Sequence, residues 1–381
     1  MSAWPPQSYQ TLGREQNVPD EVIKNSLYQA QQVLSGLPPV LTLNHLAVQA
    51  DVTYTILREV VERRRERPYR QFTIRKRRGS GLRWIFVAEP ALARVHKWIA
   101  HYILRPVPVH PLSFAYAKGG SILAAAKIHL NSRWLVKLDI ASFFESISER
   151  QVYHVFRLLG YQPLISFEMA RICTRIPWRW RREQARWVKR SYHDYAISSY
   201  DVRKIGYLPQ GAATSPMLSN LVMKTMDDDI SRHAINSGLR YSRYADDLTF
   251  STPADTFDRT QCRQLIAGVS KILLRGGFHL RGQKTVVSPP GARKMVLGLL
   301  VDKERPRLSR VFRRRVEQEV YGLEFGPAAH AAKRGFQSVF LLQRYLEGLL
   351  IFASHVDSGF ANPLWAKFHA AFPDGCPIAP L

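Results

Sequence analysis

The chain has 381 residues, of which 46% are hydrophobic, so it can bury a sizeable core and lacks the composition of a disordered protein. Its 55 Lys and Arg residues against 30 Asp and Glu residues give a formal net charge of +25. A surface this cationic repels itself unless a polyanion neutralises it, so nucleic acid is the leading class of partner.

Neither a membrane segment nor a disulfide framework is indicated. The sequence lacks an uninterrupted run of about 18 apolar residues, the length that a spanning helix needs, and its N-terminus lacks the layout of a signal peptide. Three widely spaced cysteines, Cys173, Cys262 and Cys376, fit neither a disulfide pattern nor a zinc site. We therefore expect a cytoplasmic protein with free thiols and no membrane partner.

The first 66 residues predict an arm followed by helices. Residues 1–20, which are rich in Pro, Gln and Ser, predict a loose arm. Apolar residues at helical spacing predict packed helices up to about residue 65, with Thr42 or Asn44 as an N-cap. The charge run at residues 62–67 predicts a solvated helix end, with a contact to a nucleic-acid backbone as the alternative.

A basic hairpin is predicted next. Two runs of strand formers, residues 69–74 and 82–87, flank a turn that holds four cations and two glycines. The turn is either a charged surface loop or a clamp for a triphosphate, because ammonium and guanidinium groups bind phosphate oxygens. Residues 89–104 then predict a helix that ends at a proline-containing stretch.

Two strand-like runs carry carboxylates that predict a metal site. Asp139 closes the first run, and Asp246 and Asp247 lie in the turn of a hairpin predicted over residues 240–251. Hard divalent cations prefer oxygen ligands, and a two-metal phosphoryl-transfer site requires two carboxylate-bearing strands. For the hairpin alone, an ordinary solvated Asp-Asp turn is the alternative.

A segment at about residues 176–205 interleaves arginine with tryptophan. Arginine can contact phosphates and indole rings can stack on unpaired bases, so the segment predicts a nucleic-acid contact. The alternative is that the tryptophans are packed inside while the basic residues reach solvent. The candidate ligands are Trp178, Arg179, Trp180, Arg182, Trp187 and Arg190.

The rest of the chain predicts short strands and a helical end. Strands are predicted at residues 278–280 and 294–302, and helices from about residue 305 onward. The start of this last region is basic, which indicates a grip on a nucleic-acid duplex, with Arg313 and Arg314 among the phosphate contacts.

Three motifs in a fixed order resemble those of reverse transcriptases. Tyr-Ala-Asp-Asp at residues 244–247 matches the Tyr-x-Asp-Asp signature, and residues 138–144 resemble the preceding metal-binding motif. Residues 206–216, which include Leu-Pro-Gln-Gly, resemble the motif between them. The loop at residues 114–122 is similar to that of bacterial retron-type enzymes. Two retron patterns are each altered by one residue, at Ala125 and Leu297, so we expect a different mode of RNA recognition.

The resemblance covers roughly residues 40–345 and implies an α+β, right-hand polymerase fold. That fold has fingers, a palm made of an antiparallel sheet with helices, and a helical thumb. The implied domains are an N-terminal arm and helices (1–66), fingers (67–133), a palm with the basic insertion (134–302) and a thumb (303–381).

The resemblance also implies roles for individual residues. Asp139, the Ile140 carbonyl, Asp246 and Asp247 are expected to hold two Mg²⁺ ions, or Mn²⁺, and Lys284 to protonate or neutralise the departing pyrophosphate. Phe144 lies where the family places its sugar-sensing aromatic residue, which leaves Phe143 to the core. The implied nucleotide contacts are Lys76, Arg83, Phe144, Gln210 and Gly211.

The implied function is that of an RNA-directed DNA polymerase. It would use dNTPs to copy part of a non-coding RNA into an RNA–DNA hybrid, within bacterial antiphage defence and with an effector on a separate protein. Three alternatives stay open at this point: a group II intron-like reverse transcriptase, a template-independent or RNA-synthesising polymerase, and an RNA-binding module on the same fold.

Overall fold

A computed structural model describes residues 6–65, 68–75, 81–176 and 205–373. The described helices are α1 (Pro6–Glu15), α2 (Asp20–Gln32), α3 (Leu43–Gln49), α4 (Tyr54–Val61), α5 (Pro90–Trp98), α6 (Ile122–Lys127), α7 (Phe143–Ser146), α8 (Glu149–Leu158), α9 (Pro163–Ile172), α10 (Ser215–Asn236), α11 (Arg259–Arg275), α12 (Arg310–Tyr321), α13 (Pro327–Arg334), α14 (Val339–Val356) and α15 (Ser358–Ala371). The described strands are β1 (Tyr69–Arg75), β2 (Leu82–Ala88), β3 (Trp134–Asp139), β4 (Arg240–Tyr244), β5 (Asp247–Thr252), β6 (Val286–Ser288), β7 (Met295–Val296), β8 (Leu299–Leu300) and β9 (Arg307–Leu308). Helices combined with antiparallel strands confirm the α+β class.

The chain divides into two compact units. The first comprises Met1–Gly119, Asp139–Ile230 and Gly268–Arg281. The second comprises Gly120–Leu138, Ser231–Ala267 and Gly282–Leu381.

The basic hairpin predicted from the sequence is present in the first unit. β1 and β2 run antiparallel in a register that joins Tyr69 to Ala88 and Arg75 to Leu82. Phe86 is buried, whereas Leu82 and Trp84, which lie nearer the turn, are exposed. The hairpin is therefore anchored at its base and exposed towards its tip.

The predicted helix over residues 89–104 is also confirmed, with a change of winding towards its end. Pro90 begins α5, since a residue at the first helical position needs no N–H. The segment Ile99–Leu104 continues α5 as a π-helix. Such segments are rare and frequently lie at functional sites.

A four-stranded sheet in the second unit carries the predicted acidic hairpin. Its strand order is β4-β5-β3-β6, and β4 and β5 are antiparallel. The Arg133 amide, directly before β3, donates to the Thr252 carbonyl at the end of β5, at 3.0 Å. The start of β3 thus lies beside the end of β5. These neighbouring strands therefore run antiparallel.

The predicted helical end of the chain is confirmed. Leu342, Leu346 and Leu350 recur every four residues along α14 and are fully buried against Val316 and Val320 of α12. Among the described helices, α14 alone has the length and mean hydropathy, 1.2 over 18 residues, that would also suit a membrane span. Its buried leucines make it the central helix of this apolar cluster.

Three predicted elements differ in the structure. Residues 6–15 of the expected loose arm form α1, which begins at Pro6, a residue suited to a first helical turn. Residues 278–280 are not a strand, because Leu280 pairs only with Ile140, in an isolated bridge beyond the end of β3. The single strand predicted at residues 294–302 is the hairpin β7–β8, because Leu297 and Gly298 both adopt positive φ, as tight hairpin turns require.

The prediction that residues 62–67 are solvated is wrong for Glu62 and Arg63. Glu62 is 5% exposed and accepts a hydrogen bond from Arg58 at 2.8 Å. Arg63 adopts a left-handed φ of 61°, and its side chain is 8% exposed. Glu62 is buried because it pairs with Arg58, and Arg63 is buried because the fully buried carboxylate of Glu149 on α8 needs cations around it.

Glu149 is the centre of a buried ionic cluster. Its oxygens lie 2.5 Å from the Arg63 guanidinium and 3.2 Å from that of Arg171. The Thr174 hydroxyl and the Gly206 amide donate to the same carboxylate, at 3.2 and 2.9 Å. Burial raises the pKa of Glu149, but the two arginines and the other donors outweigh it, so the pKa lies below its ordinary value. The cluster joins segments that are far apart in the sequence.

Glu149→Gln should lower the free energy of unfolding by about 3–5 kcal/mol, because it leaves Arg63 and Arg171 as buried cations without a counter-charge. Urea unfolding followed by circular dichroism measures the loss. Because folding lowers the pKa of Glu149, its contribution holds above about pH 4.5 and is lost as the pH falls further. The control Glu347→Gln, in a more exposed pair with Arg344, should cost less than about 1 kcal/mol. Equal losses in the two variants would refute a special role for the cluster.

Candidate active site

The tip of the β4–β5 hairpin holds Asp246 and Asp247 on a constrained two-residue turn. Tyr244 pairs with Asp247, so Ala245 and Asp246 form the turn, and Ala245 has a left-handed φ of 56°. Arg243 is fully buried and donates to the Ala245 carbonyl at 3.1 Å. This hydrogen bond stabilises a backbone conformation that non-glycine residues rarely adopt, and thereby fixes the position of the adjacent carboxylates.

His129 ties the two strands of the same hairpin together. Its Nε2 and Nδ1 atoms each lie 2.7 Å from a serine hydroxyl, Ser242 on β4 and Ser251 on β5. The ring is fully buried, and burial, with a contribution from Arg240, lowers its pKa to about 3. His129 is therefore a neutral structural histidine.

Asp139 ends β3, and its side chain is almost fully buried. Arg281 lies beside it: the guanidinium is 3.6 Å from the carboxylate, and the Arg281 amide donates to the Asp139 carbonyl at 2.8 Å. The next residue, Ile140, pairs with Leu280 through hydrogen bonds made by the flanking residues. The Ile140 carbonyl takes no part in that bridge.

The ends of β3 and β4 each carry oxygen donors of the kind that a divalent cation takes. Carboxylates and a backbone carbonyl are the oxygen ligands that Mg²⁺ prefers. Within the described ranges, no three His, Cys, Asp or Glu side chains form a group that could hold a metal ion. Any ion held here would therefore need further oxygen ligands from substrate or water.

The two phenylalanines after Asp139 have different environments. Phe143 is 4% exposed and its ring centroid lies 6.1 Å from that of Phe278, so it belongs to the core. Phe144 is only partly buried, and its ring centroid is 6.5 Å from that of Tyr116. Both lie on α7, a single turn that begins after Ser142, a residue at positive φ.

The Gln210–Gly211 turn is fixed from two sides. The Phe86 amide of β2 donates to the Gln210 carbonyl at 2.8 Å, and the Ser215 hydroxyl donates to the Pro209 carbonyl at 2.7 Å. Gly211 has a φ of 118°, and a Cβ atom there would lie 2.8 Å from the Phe86 carbonyl oxygen, so only glycine fits. The turn is thereby joined to β2, the strand that carries Arg83.

Backbone pairing also closes the loop that precedes this turn. Arg175 and Tyr207 exchange two hydrogen bonds, of 3.0 and 2.9 Å. The Arg175 guanidinium stacks over the Phe86 ring at 3.4 Å from its centroid. The residues on either side of the Arg/Trp-rich segment are thus held together next to β2.

The remaining candidate residues fall into three groups. Arg83, Lys284 and Arg314 are exposed, on β2, on a 3₁₀ turn and on α12 respectively. Arg313 forms an ion pair with Asp357 and lies over the Phe360 ring, which joins α12 to α15. Several candidates lie outside the described residues: Lys76, Trp178, Arg179, Trp180, Arg182, Trp187 and Arg190.

Some residues that shape the site escape prediction from the sequence. The position of Arg243 does indicate a structural role, because an arginine flanked by strand-forming residues directly before an acidic turn must be buried or paired. The sequence around Arg281 and Glu149 gives no such indication, because each contacts a residue that is distant in the sequence.

Comparison with known proteins identifies the family. The family model described as "Reverse transcriptase (RNA-dependent DNA polymerase)" matches residues 74–299, more than half of the chain. The chain therefore belongs to the reverse transcriptase family and has its fold. It is an RNA-directed DNA polymerase, of a family whose members use divalent metal ions.

Its relatives among characterised proteins are retron enzymes. Retron Ec86 reverse transcriptase of Escherichia coli is 27% identical over 309 residues, which cover 80% of this chain and 86% of that enzyme. Retron Ec83 reverse transcriptase, also of Escherichia coli, is 26% identical over 80% of this chain and 89% of the relative. Retron Mx162 reverse transcriptase of Myxococcus xanthus is 32% identical over 61% of this chain, which spans about half (47%) of that relative. The chain is a retron-type reverse transcriptase and binds an RNA template.

Replacing His129 tests its role in the hairpin. His129→Gln should lower the free energy of unfolding by roughly 1–3 kcal/mol, because at least one buried serine hydroxyl loses its partner. The unfolded histidine protonates near pH 6.5 and the folded one near pH 3, so wild-type stability should fall as the pH drops below about 6.5. Denaturation at pH 7 and pH 5 should reveal a smaller pH effect in the variant.

The control for this experiment is His355→Gln, which changes an exposed histidine on α14. It should leave both stability and its pH dependence near those of the wild type. If His129→Gln behaves like this control, His129 does not hold the hairpin.

Proposed function

We propose that this reverse transcriptase copies part of a non-coding RNA into DNA by nucleotidyl transfer that depends on two Mg²⁺ ions. The observation that carries the proposal is the antiparallel pairing of β3 with β5. It sets β3, the strand that Asp139 closes, alongside β5, the strand that begins at Asp247 directly after Asp246. Two neighbouring carboxylate-bearing strands are the scaffold that two-metal phosphoryl transfer needs.

Asp139, Asp246 and Asp247, together with the Ile140 carbonyl, would hold the ions. When bound, the ions activate the primer hydroxyl and stabilise the charge on the phosphates and the departing pyrophosphate. Mg²⁺ in such enzymes takes a few carboxylates and completes its shell with substrate phosphates and water, which agrees with an incomplete protein cage. Mn²⁺ accepts the same oxygen ligands.

The other residues orient the substrates. We assign the fingers to residues 67–133, the palm to 134–302 and the thumb to 303–381. Arg83, with Lys76, would bind the triphosphate of the dNTP, and Lys284 would protonate or neutralise the departing pyrophosphate. Gln210 and Gly211 would contact the nascent base pair, a role supported by the lack of a side chain at 211. The nucleic acid would be held by Arg313, Arg314 and the Arg/Trp-rich segment.

Asp246→Asn should abolish most DNA synthesis on an RNA template. Loss of one metal-binding carboxylate removes about 3–5 kcal/mol of transition-state stabilisation, or roughly 10²–10⁴ in rate. Primer extension with labelled dNTPs and Mg²⁺ measures it. Asp228→Asn, the same change on α10 where the carboxylate pairs with His110, serves as the control and should retain full activity. A wild-type rate in Asp246→Asn would overturn the assignment.

Phe144→Val should allow the enzyme to incorporate ribonucleotides. A phenylalanine under the ribose leaves no space for a 2′-hydroxyl, and valine opens that space. The ratio of kcat/KM for a dNTP to that for the matching NTP should fall by at least about tenfold, a difference of about 1.4 kcal/mol. Phe325→Val, at an 84% exposed ring, is the control and should leave the ratio unchanged. An unchanged ratio in Phe144→Val would return Phe144 to a packing role.

We further propose that the enzyme acts in the bacterial cytoplasm, in an antiphage defence system whose effector is a separate protein. Membership of the retron-type group supports this setting. Efficiency of plating tests it: cells that express the native locus should restrict phage, and the Asp246→Asn locus should not. Equal plating on both strains would refute a defence role that depends on DNA synthesis.

A further inference from the structure

A cationic cleft of about 810 Å³ lies in the first unit. One wall is formed by α5 and the π-helical segment that continues it. The loop at residues 116–118 contributes a second group of lining residues, and Ala213 and Met217 complete the lining. We call this surface the α5 cleft.

A stripe of basic residues runs along the α5 wall. Arg94, Lys97, His101 and Arg105 recur every three or four residues, so they share one face of the helix, and Lys118 adds a further cation from the loop. All five side chains are exposed. Within the described ranges, no ion pair is formed by Arg94, Lys97, Arg105 or Lys118. The only acidic lining residue is Asp51. These cations are therefore available to an anionic ligand.

Aromatic rings lie among these cations. Tyr116 is 48% exposed in spite of its size. It also adopts a left-handed φ of 60°, which is a genuine outlier for a bulky residue and is commonly retained for function. Tyr102 lines the same cleft, with its ring centroid 5.4 Å from that of the buried Trp98. The cleft thus offers stacking surfaces at the same place as phosphate ligands.

We propose that the α5 cleft binds an unpaired segment of RNA. Cations spaced along a helix can follow successive phosphates, and partly exposed tyrosine rings can stack on bases that have no pairing partner. A duplex would use the cations, but its stacked bases could not reach Tyr116. The combination of charge, exposed aromatic surface and concave shape therefore favours a single strand.

The position of Tyr116 connects the cleft with polymerisation. Its ring is a neighbour of Phe144, the residue to which we assign sugar discrimination. An RNA strand in the cleft would therefore lie next to the incoming nucleotide. The placement of the RNA strand rests on the proposed function. The test does not, because it measures binding without catalysis.

The test compares two kinds of variant in fluorescence anisotropy, with a labelled unstructured RNA oligonucleotide and no primer, dNTP or metal. Tyr116→Asn removes the ring and places a residue that tolerates positive φ, so it should fold. Its affinity for single-stranded RNA should fall about fivefold or more, as expected when one stacking contact is lost, while affinity for duplex RNA stays near wild type. An equal loss for both RNAs, or none for the single strand, would overturn the proposal.

The charge contribution is tested by Arg94→Gln combined with Lys97→Gln. If both residues contact phosphates, the slope of log K against log salt concentration should fall in magnitude by about 1.4 for the single strand. The matched control is Lys271→Gln with Arg275→Gln, two exposed cations one turn apart on α11 that change the net charge equally. A similar slope change in the control would mean that only overall charge matters, and the cleft would not be the site.

The outcomes separate this inference from the proposed function. Loss of RNA binding in the cleft variants, together with primer extension by the wild-type enzyme, would support both. Normal RNA binding in the cleft variants would refute the cleft whether or not the wild-type enzyme extends a primer. Tighter binding of single-stranded DNA than of RNA with the same sequence would refute the assignment to RNA.

Discussion

The architecture of the first unit depends on a single buried negative charge. A fully buried carboxylate such as Glu149 is tolerated only when cations and hydrogen-bond donors surround it, and here Arg63, Arg171, Thr174 and Gly206 all do so. The partners come from three separate parts of the chain, so satisfying one carboxylate fixes the relative positions of the N-terminal helices, α8, α9 and the loop that leads to the Gln210–Gly211 turn.

The β4–β5 hairpin is held in another way, mainly by hydrogen bonds. His129 is neutral and bridges two serine hydroxyls, and Arg243 supports the strained Ala245 carbonyl from within the sheet. Directional hydrogen bonds set the register of β4 and β5, and burial keeps the bridging histidine uncharged. Arg243 adds a buried cation next to the turn that carries Asp246 and Asp247, so the charge balance of the hairpin includes a guanidinium as well as the carboxylates.

Local patterns account for what could be predicted from the sequence. The basic hairpin and the acidic hairpin are encoded by strand formers around short turns, and the candidate residues Asp139, Asp246 and Asp247 follow from their positions at strand ends. Glu149 could not be predicted, because Arg63 and Gly206 lie 86 and 57 residues away from it and their meeting depends on the whole fold. The α5 cleft was missed for a similar reason, since Tyr116 draws attention only once its backbone conformation is known.

The backbone pairing of Arg175 with Tyr207 has a consequence for how the sequence of this enzyme can diverge. Because the two residues exchange backbone hydrogen bonds, the chain before the intervening segment is held beside the chain that follows it. Changes of length or sequence within residues 177–204 need not displace the neighbouring glycine turn, which is anchored separately through Phe86 and Ser215, or Gly206, whose amide donates to Glu149. Evolution can therefore vary that segment while the polymerase fold stays constant, and a protein engineer could replace it with an unrelated RNA-binding peptide.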